Sequence, residues 1–278
     1  MKTIVTHISV DLDAVSSAWL VKRNMPGWED AQLEFVSAGE TLNGKKPDEN
    51  EEIIHVDTGL GKFDHHQIKD FNLSAAKIVF NYLDKREYLK AYDREALSRM
   101  TDLIAKIDNF QEIHFPNPDA DIYDFAIHQI ITGLRPVTKD DTERCEIMFK
   151  ILDATLQVFK NKIRAENEMK DAYTFNSKFG KTFAIESSNE ETVKLAQKQG
   201  FEMVIRKDPK LGFVRIKTIP SDKFDLTAVY EKVKELDPKA DWFLHVSKNM
   251  LLNGSSKKAN VTPSKLSLNK IIDIIRNI

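Results

Sequence analysis

Cys145 is the only cysteine in 278 residues, so no disulfide can form within the chain. It falls on a strongly helical stretch and reads there as a small buried hydrophobe. No apolar run approaches the roughly 18–20 residues of a membrane span. The opening residues, MKTIVTHISVDLDA, carry one basic side chain, and His7, Asp11 and Asp13 interrupt their apolar part. That pattern does not fit a signal peptide. Neither sign of charge is in excess: 41 Lys and Arg face 43 Asp and Glu, for a net charge of −2. Such a balance argues against a disordered tail and against coating nucleic acid by bulk charge, while leaving room for a local basic groove. Internal repeats and low-complexity segments are also missing. The expectation is a soluble, cytoplasmic protein. Its hydrophobic share of 41% suffices for a core in each of two modest domains.

The first third of the chain alternates strand and helix patterns. KTIVTHIS (2–9), AQLEFVSA (31–38) and EEIIHVD (51–57) read as strands, and AVSSAWLVK (14–22) reads as a helix. Alternation of this kind predicts an α/β domain with a mostly parallel sheet over residues 1–137. From Leu73 to about Arg135 the spacing turns helical. Residues 138–175 read as one long connecting helix, because Met148, Leu152, Leu156, Phe159 and Ile163 form a single apolar stripe. Residues 176–278 read as a smaller α/β domain. In it Ser188–Glu191 suggests a capping box, Asp208-Pro209 a turn between two strands, DWFLHVS a strand, and Lys265–Ile278 a helix begun by Thr262-Pro263.

Within the first domain the strand ends carry ligand-type side chains. His7, Asp11 and Asp13 follow the first strand, Asp57 ends the third, and Asp64-His65-His66 returns after a short loop holding Gly59 and Gly61. Asp108 stands in KIDNF. Taken singly, each has a plain structural explanation: Asp11 or Asp13 as a helix cap, His7 as a satisfied core histidine, Asp108-Asn109 as a helix-ending turn. Taken together, they bring Asp or His to three separate strand ends, where loops of an α/β sheet converge. Four converging carboxylates would raise one another's pKa values unless a cation joined them. Oxygen-rich ligands with a minority of imidazoles suit Mn²⁺ or Mg²⁺ better than a zinc thiolate site.

The motifs HISVDLDA, VDTG, Asp64-His65-His66 and KIDNF, in that order, resemble the four motifs of the DHH phosphoesterase superfamily. FDHHQ, LSAAKIV, IDN and WFLHVSKNMLLNG are most similar to its branch of eukaryotic exonucleases first named for melanocyte proliferation, formerly described as metal-dependent protein hydrolases. The resemblance implies two divalent cations, with Mn²⁺ ahead of Mg²⁺. His7 and Asp11 would hold one, and Asp13, His65 and Asp108 the other, with Asp57 bridging. Asp64 would orient the histidines, and His66 would face the substrate phosphate. A metal-bridging hydroxide would attack phosphorus from a site in an interdomain cleft. The expected substrates are dinucleotides or short oligonucleotides, because a near-neutral chain lacks the basic track of an enzyme on long duplexes.

The C-terminal segment NGSSKKANVTPSK (253–265) combines a glycine turn with three lysines. The superfamily places a glycine-rich substrate-binding motif here, which implies contacts from Asn253, Gly254, Ser255, Lys257 and Lys258. A solvated hairpin explains the same residues equally well. Arg135, in GLRP, is a further candidate for phosphate. Competing functions are a phosphoanhydride hydrolase of the pyrophosphatase kind and a non-catalytic nucleotide-binding regulator. Sequence does not decide the oligomeric state.

Overall fold

The computed structural model describes residues 1–254 and 259–278. The protein is α/β and separates into two compact units, residues 1–160 and 161–278.

In the first unit, β1 (Thr3–His7) lies between β2 (Gln32–Val36) and β3 (Ile53–His55), and both pairings are parallel. Ile4, Val5 and Thr6 are fully buried, as expected of a central parallel strand covered on both faces. Thr3 pairs with Ile53 and Val5 with His55. Continuing that register brings Asp57 level with His7, so both leave the sheet at the same edge.

α1 (Leu12–Asn24) is buried from Leu12 to Val21 on every face and packs among β1, α2 (Ala75–Lys85), α3 (Ala91–Asp108) and α4 (Ile127–Leu134). Ser74 caps α2, its hydroxyl accepting from Lys77 N–H at 3.3 Å.

α5 (Asp141–Glu168) carries the apolar stripe. Cys145, Met148, Leu152 and Leu156 on it are buried. The division between units falls within this helix. It ends seven residues before the expected limit of 175. A short 3₁₀ turn at Met169–Asp171 follows, and then β4 (Tyr173–Ser177), which the helical reading had absorbed. The aromatic and β-branched residues Tyr173, Thr174 and Phe175 favour a strand, and the turn into Gly180, at φ +88°, lets β4 pair antiparallel with β5 (Gly180–Glu186).

The second unit is a six-stranded mixed sheet in the order β4-β5-β6-β7-β9-β8. Here β6 is Met203–Lys207, β7 Val214–Thr218, β8 Trp242–Leu244 and β9 Met250–Asn253. Alternation along the strands sorts the core. Met203, Ile205, Val214, Ile216 and Leu251 pack with α7 (Thr227–Leu236) and α8 (Leu268–Arg276), while Phe183, Ile185 and Val204 pack with α6 (Glu191–Lys198). α8 starts at Leu268, capped by the Ser267 hydroxyl, so Thr262-Pro263 lies outside it. Among the described residues no helix is long and apolar enough to cross a membrane.

Candidate metal centre

The site begins with how β1 ends. His7 closes the strand, and its Nδ1–H donates to the Ile8 carbonyl at 2.9 Å, which turns Nε2 toward Asp57. The loop then needs a left-handed residue at Ser9, φ 62°. The Asp141 carboxylate, in the first turn of α5, accepts from Ser9 N–H at 2.8 Å and Val10 N–H at 3.1 Å, and Arg144 in turn holds Asp141. This clamp was not visible in the sequence, where Asp141 reads simply as an acidic residue opening a helix. Asp11 divides its carboxylate between two tasks. One oxygen accepts from Ala14 N–H at 3.0 Å and caps α1, while the other lies 3.7 Å from His7 Nε2.

Asp13 is buried in the first turn of α1. Its two oxygens accept from the N–H groups of Ala75 and Ala76, at 2.6 and 2.9 Å. The N-terminus of α2 thus holds a carboxyl group from another helix. Asp57 sits just beyond β3 at φ 55°, and its N–H reaches back to the Phe63 carbonyl at 3.0 Å. Gly59, at φ +79°, completes the turn; a Cβ there would come within 2.8 Å of Thr41. The closed loop returns Asp64-His65-His66 to the edge that Asp57 occupies. Asp108 is the last residue of α3, and Asn109 fixes that end through bonds to the Leu73 and Ala105 carbonyls, both 2.8 Å.

Asp57 lies between two groups of ligands. Oδ2 is 3.3 Å from His7 Nε2, on the side of Asp11, and Oδ1 is 3.4 Å from His65 Nε2. His65 Nε2 is in turn 3.4 Å from Asp108 and 3.8 Å from Asp13. Three sets therefore have ligand atoms close enough to share an ion: His7, Asp11 and Asp57; Asp13, His65 and Asp108; and Asp57, His65 and His66. A cavity of about 460 Å³ opens onto His7, Asp11, Asp57, His66 and Asp108.

Asp64 is buried. One of its oxygens accepts from Leu60 N–H at 2.7 Å, and the other lies 2.6 Å from His66 Nδ1. The bonds it makes go to His66 rather than to both histidines. The His66 side chain is 58% exposed, against 13% for His65, so of the two His66 is the one open to an incoming molecule. His55, the third histidine of the stretch, is not part of the cluster. Its Nε2 accepts from Leu42 N–H at 3.1 Å, and burial lowers its pKa.

The charge state shows how the cluster balances its carboxylates. Burial, together with the Asp57 and Asp108 carboxylates, pushes Asp13 upward against the N–H groups of α2. Burial also raises Asp108, to about 6. His7 rises to about 9 because Asp57, the Ile8 carbonyl and Asp11 outweigh the opposing effect of burial. His65 rises to about 9, chiefly through Asp57. Burial would raise Asp57, but His65 and His7 outweigh it and hold the group low. Protons on imidazole thus supply positive charge that the carboxylates require. Asp57 Oδ1 and His65 Nε2 are nevertheless buried with no hydrogen-bond partner. Such atoms are costly unless something else satisfies them. A divalent cation fits this donor set of carboxylates and imidazoles.

The sequence model of the ChrB C-terminal domain family matches residues 4–159, more than half of the chain. The chain belongs to that family. The ChrB C-terminal-domain match contains every residue of the cluster. No curated protein matches the sequence. Among solved structures, a pGpG-specific phosphodiesterase, PggH from Vibrio cholerae, is similar at 16% identity and TM-score 0.37, with 98% of each chain covered. The DHH domain of a protein described as a member of a ribosomal protein family is similar at 10% identity and TM-score 0.33, covering 99% of this chain and 86% of that one. RecJ from Thermus thermophilus in complex with Mg²⁺ follows at 9% identity and TM-score 0.35, covering 99% and 49%. At such values the chemistry has to be argued from the side chains themselves.

Arg135 is exposed and reaches the Ser9 carbonyl at 3.3 Å, beside the loop that follows β1. Asn253, in the second unit, is fully buried. Its amide donates to the carbonyls of Asp241 and Thr262 and accepts from Ser264 N–H. Those bonds tie the side chain to the backbone at Asp241, Thr262 and Ser264. Gly254 packs against Phe213, whose ring would meet an added Cβ at 2.2 Å. Ser255, Lys257 and Lys258 lie outside the described residues.

Proposed function

We propose that the chain is a DHH-type phosphodiesterase that uses two divalent cations, Mn²⁺ before Mg²⁺, on dinucleotides or short oligonucleotides. The observation that carries this reading is Asp57, whose two oxygens face two separate ligand groups while Oδ1 has no hydrogen-bond partner. His7 and Asp11 would hold one cation and Asp13, His65 and Asp108 the other. Bound there, the cations would supply Lewis-acid polarisation of a phosphoryl oxygen and of water.

The chain's own residues do the rest. Asp64 fixes the His66 ring through Nδ1, so Nε2 is the atom left to meet a phosphate oxygen or to pass a proton to the leaving group. The N–H groups of Ala75 and Ala76 keep Asp13 anchored while its neighbours change charge. Arg135 is a candidate phosphate contact beside the first motif, and Gly254, Ser255, Lys257 and Lys258 remain candidates for the substrate's far end. The resemblance to the eukaryotic exonuclease branch belongs to this proposal.

A pyrophosphatase would need lysines and arginines against its strongly anionic substrate. Among the described residues lining the cavity there is neither. The deciding assay offers the purified, Mn²⁺-loaded protein dinucleotides, short RNA and DNA, cyclic dinucleotides and pyrophosphate. Turnover of linear dinucleotides or short oligonucleotides above pyrophosphate is expected. Failure to hydrolyse any phosphodiester would overturn the reading.

A further inference from the structure

A second cavity, of about 160 Å³, lies in the segment that follows α3. Its size suits a single ring system rather than a whole nucleotide, since sites for complete small-molecule ligands run to roughly 300 Å³ or more. Its lining combines aromatic and acidic side chains. Phe115 and Tyr123 stand with ring centroids 6.0 Å apart, and the Tyr123 hydroxyl is fixed on the Pro116 carbonyl at 2.8 Å. Phe110 contributes a third ring. It is the second residue after Asp108, its N–H bonded to the Ile107 carbonyl at 2.9 Å. It holds a left-handed backbone at φ 53°, a conformation that glycine would adopt without strain, yet its large ring is 64% exposed. Gln111 ties the same segment to the Phe71 carbonyl, in the loop that follows Asp64-His65-His66.

Two polar atoms of the lining residues are closed to solvent and lack a hydrogen-bond partner. Glu112 Oε2 is buried with no hydrogen bond, and so is His128 Nδ1. The two side chains approach at 3.2 Å, between Glu112 Oε2 and His128 Nε2, without the geometry of a hydrogen bond. Asp119 and Asp124 also line the space. An anionic lining repels phosphate and accepts N–H donors.

We propose that this cavity binds a nucleobase of the substrate, and that its chemistry selects guanine. The inference rests on the phosphodiesterase reading for its link to turnover. Aromatic rings supply stacking faces, which every base can use. Discrimination falls to Glu112, whose carboxylate would turn from His128 toward the base to present both oxygens. Guanine presents two adjacent donors, N1–H and N2–H, that match one carboxylate. Adenine puts a lone pair at N1, and uracil offers a single N–H between two carbonyls. Because Phe110 follows so closely on Asp108, a base held there belongs to a nucleotide whose phosphate lies toward the metal centre.

The test titrates guanosine, and separately adenosine, into the full-length Mn²⁺-loaded protein. Neither nucleoside has a phosphate to hydrolyse. Guanosine is expected to bind more tightly than adenosine, by about tenfold or more, as for hydrogen bonds to a charged group. Glu112→Gln should abolish that preference. Phe110→Gly suits the left-handed backbone, so it should keep or raise Tm while weakening both nucleosides. Equal binding of the two nucleosides, or a preference untouched by Glu112→Gln, would overturn the pocket. Turnover of dinucleotides is read on the same protein. Hydrolysis without a guanosine preference sinks the pocket and leaves the phosphodiesterase reading standing. A guanosine preference without any hydrolysis does the reverse.

Discussion

Two neighbouring histidines, His65 and His66, differ in placement in a way that suits the different tasks proposed for them. His65 Nε2 is buried among three carboxylates, whereas His66 is exposed and pinned through Nδ1 by Asp64. His65→Ala is therefore expected to lose bound Mn²⁺ and activity together. His66→Ala should keep Mn²⁺ stoichiometry and lose turnover by about 10²-fold or more, the usual scale for a positioned acid–base group. Metal analysis beside the kinetic assay separates the two, and equal metal loss in both variants would contradict the assignment. The sequence made this division readable only through resemblance. Nothing in the letters His-His tells which ring faces inward; that follows from the loop closed by Asp57 N–H on Phe63. His55 makes the same point from the other side. It shares the ligand-rich stretch, but a backbone N–H already occupies its Nε2.

At the level of elements, the candidate metal centre is a convergence of ends: the C-terminal ends of β1 and β3, the first turns of α1 and α2, and the last turn of α3. Strand-and-helix alternation made those elements legible, because period-two and helical spacing are local properties of sequence. The elements that sequence reading missed depend on distant partners. β4 is a strand because β5 lies beside it, and β9 is short and apolar enough to pass unnoticed in KNMLLNG. The clamp from Asp141 to the loop after β1 joins residues far apart in the chain and has no local signature. Its consequence can be measured. Asp141→Ala would leave the buried Val10 N–H without its acceptor, give the exposed Ser9 N–H to water, and loosen the loop that sets His7 and Asp11. Losing hydrogen bonds to a charged group costs about 1.5–3 kcal/mol each at most. The variant is expected to bind Mn²⁺ more weakly at the His7–Asp11 side while remaining folded. Unchanged Mn²⁺ affinity would show that the loop holds its shape without α5.

For the whole molecule, the cluster ties stability to pH and to metal. In the metal-free protein His7 and His65 have pKa values of about 9, above the ordinary 6.5. Raised basic groups add stability that is fully present below about pH 6.5 and lost as pH climbs through 9. Asp108, raised to about 6, adds to the same trend, because its folded state favours the neutral acid and loses that advantage as pH rises through 6. The Tm of EDTA-treated protein should therefore fall between about pH 7 and pH 9.5. Cations would compensate the carboxylates directly, and at about a thousand times Kd one such ion adds about 4 kcal/mol. The Tm gap between Mn²⁺-loaded and metal-free protein is thus expected to widen over that range, and a gap that narrows would contradict the charge balance. The central claim, that Asp57 stands between two cation sites, is tested most directly by anomalous diffraction from crystals grown with Mn²⁺. The account predicts two peaks, one beside His7 and Asp11 and one beside Asp13, His65 and Asp108, with the Asp57 carboxylate between them, and loss of at least one peak in Asp57→Asn. No peak at either place in the wild-type protein, or two undiminished peaks in Asp57→Asn, would contradict it.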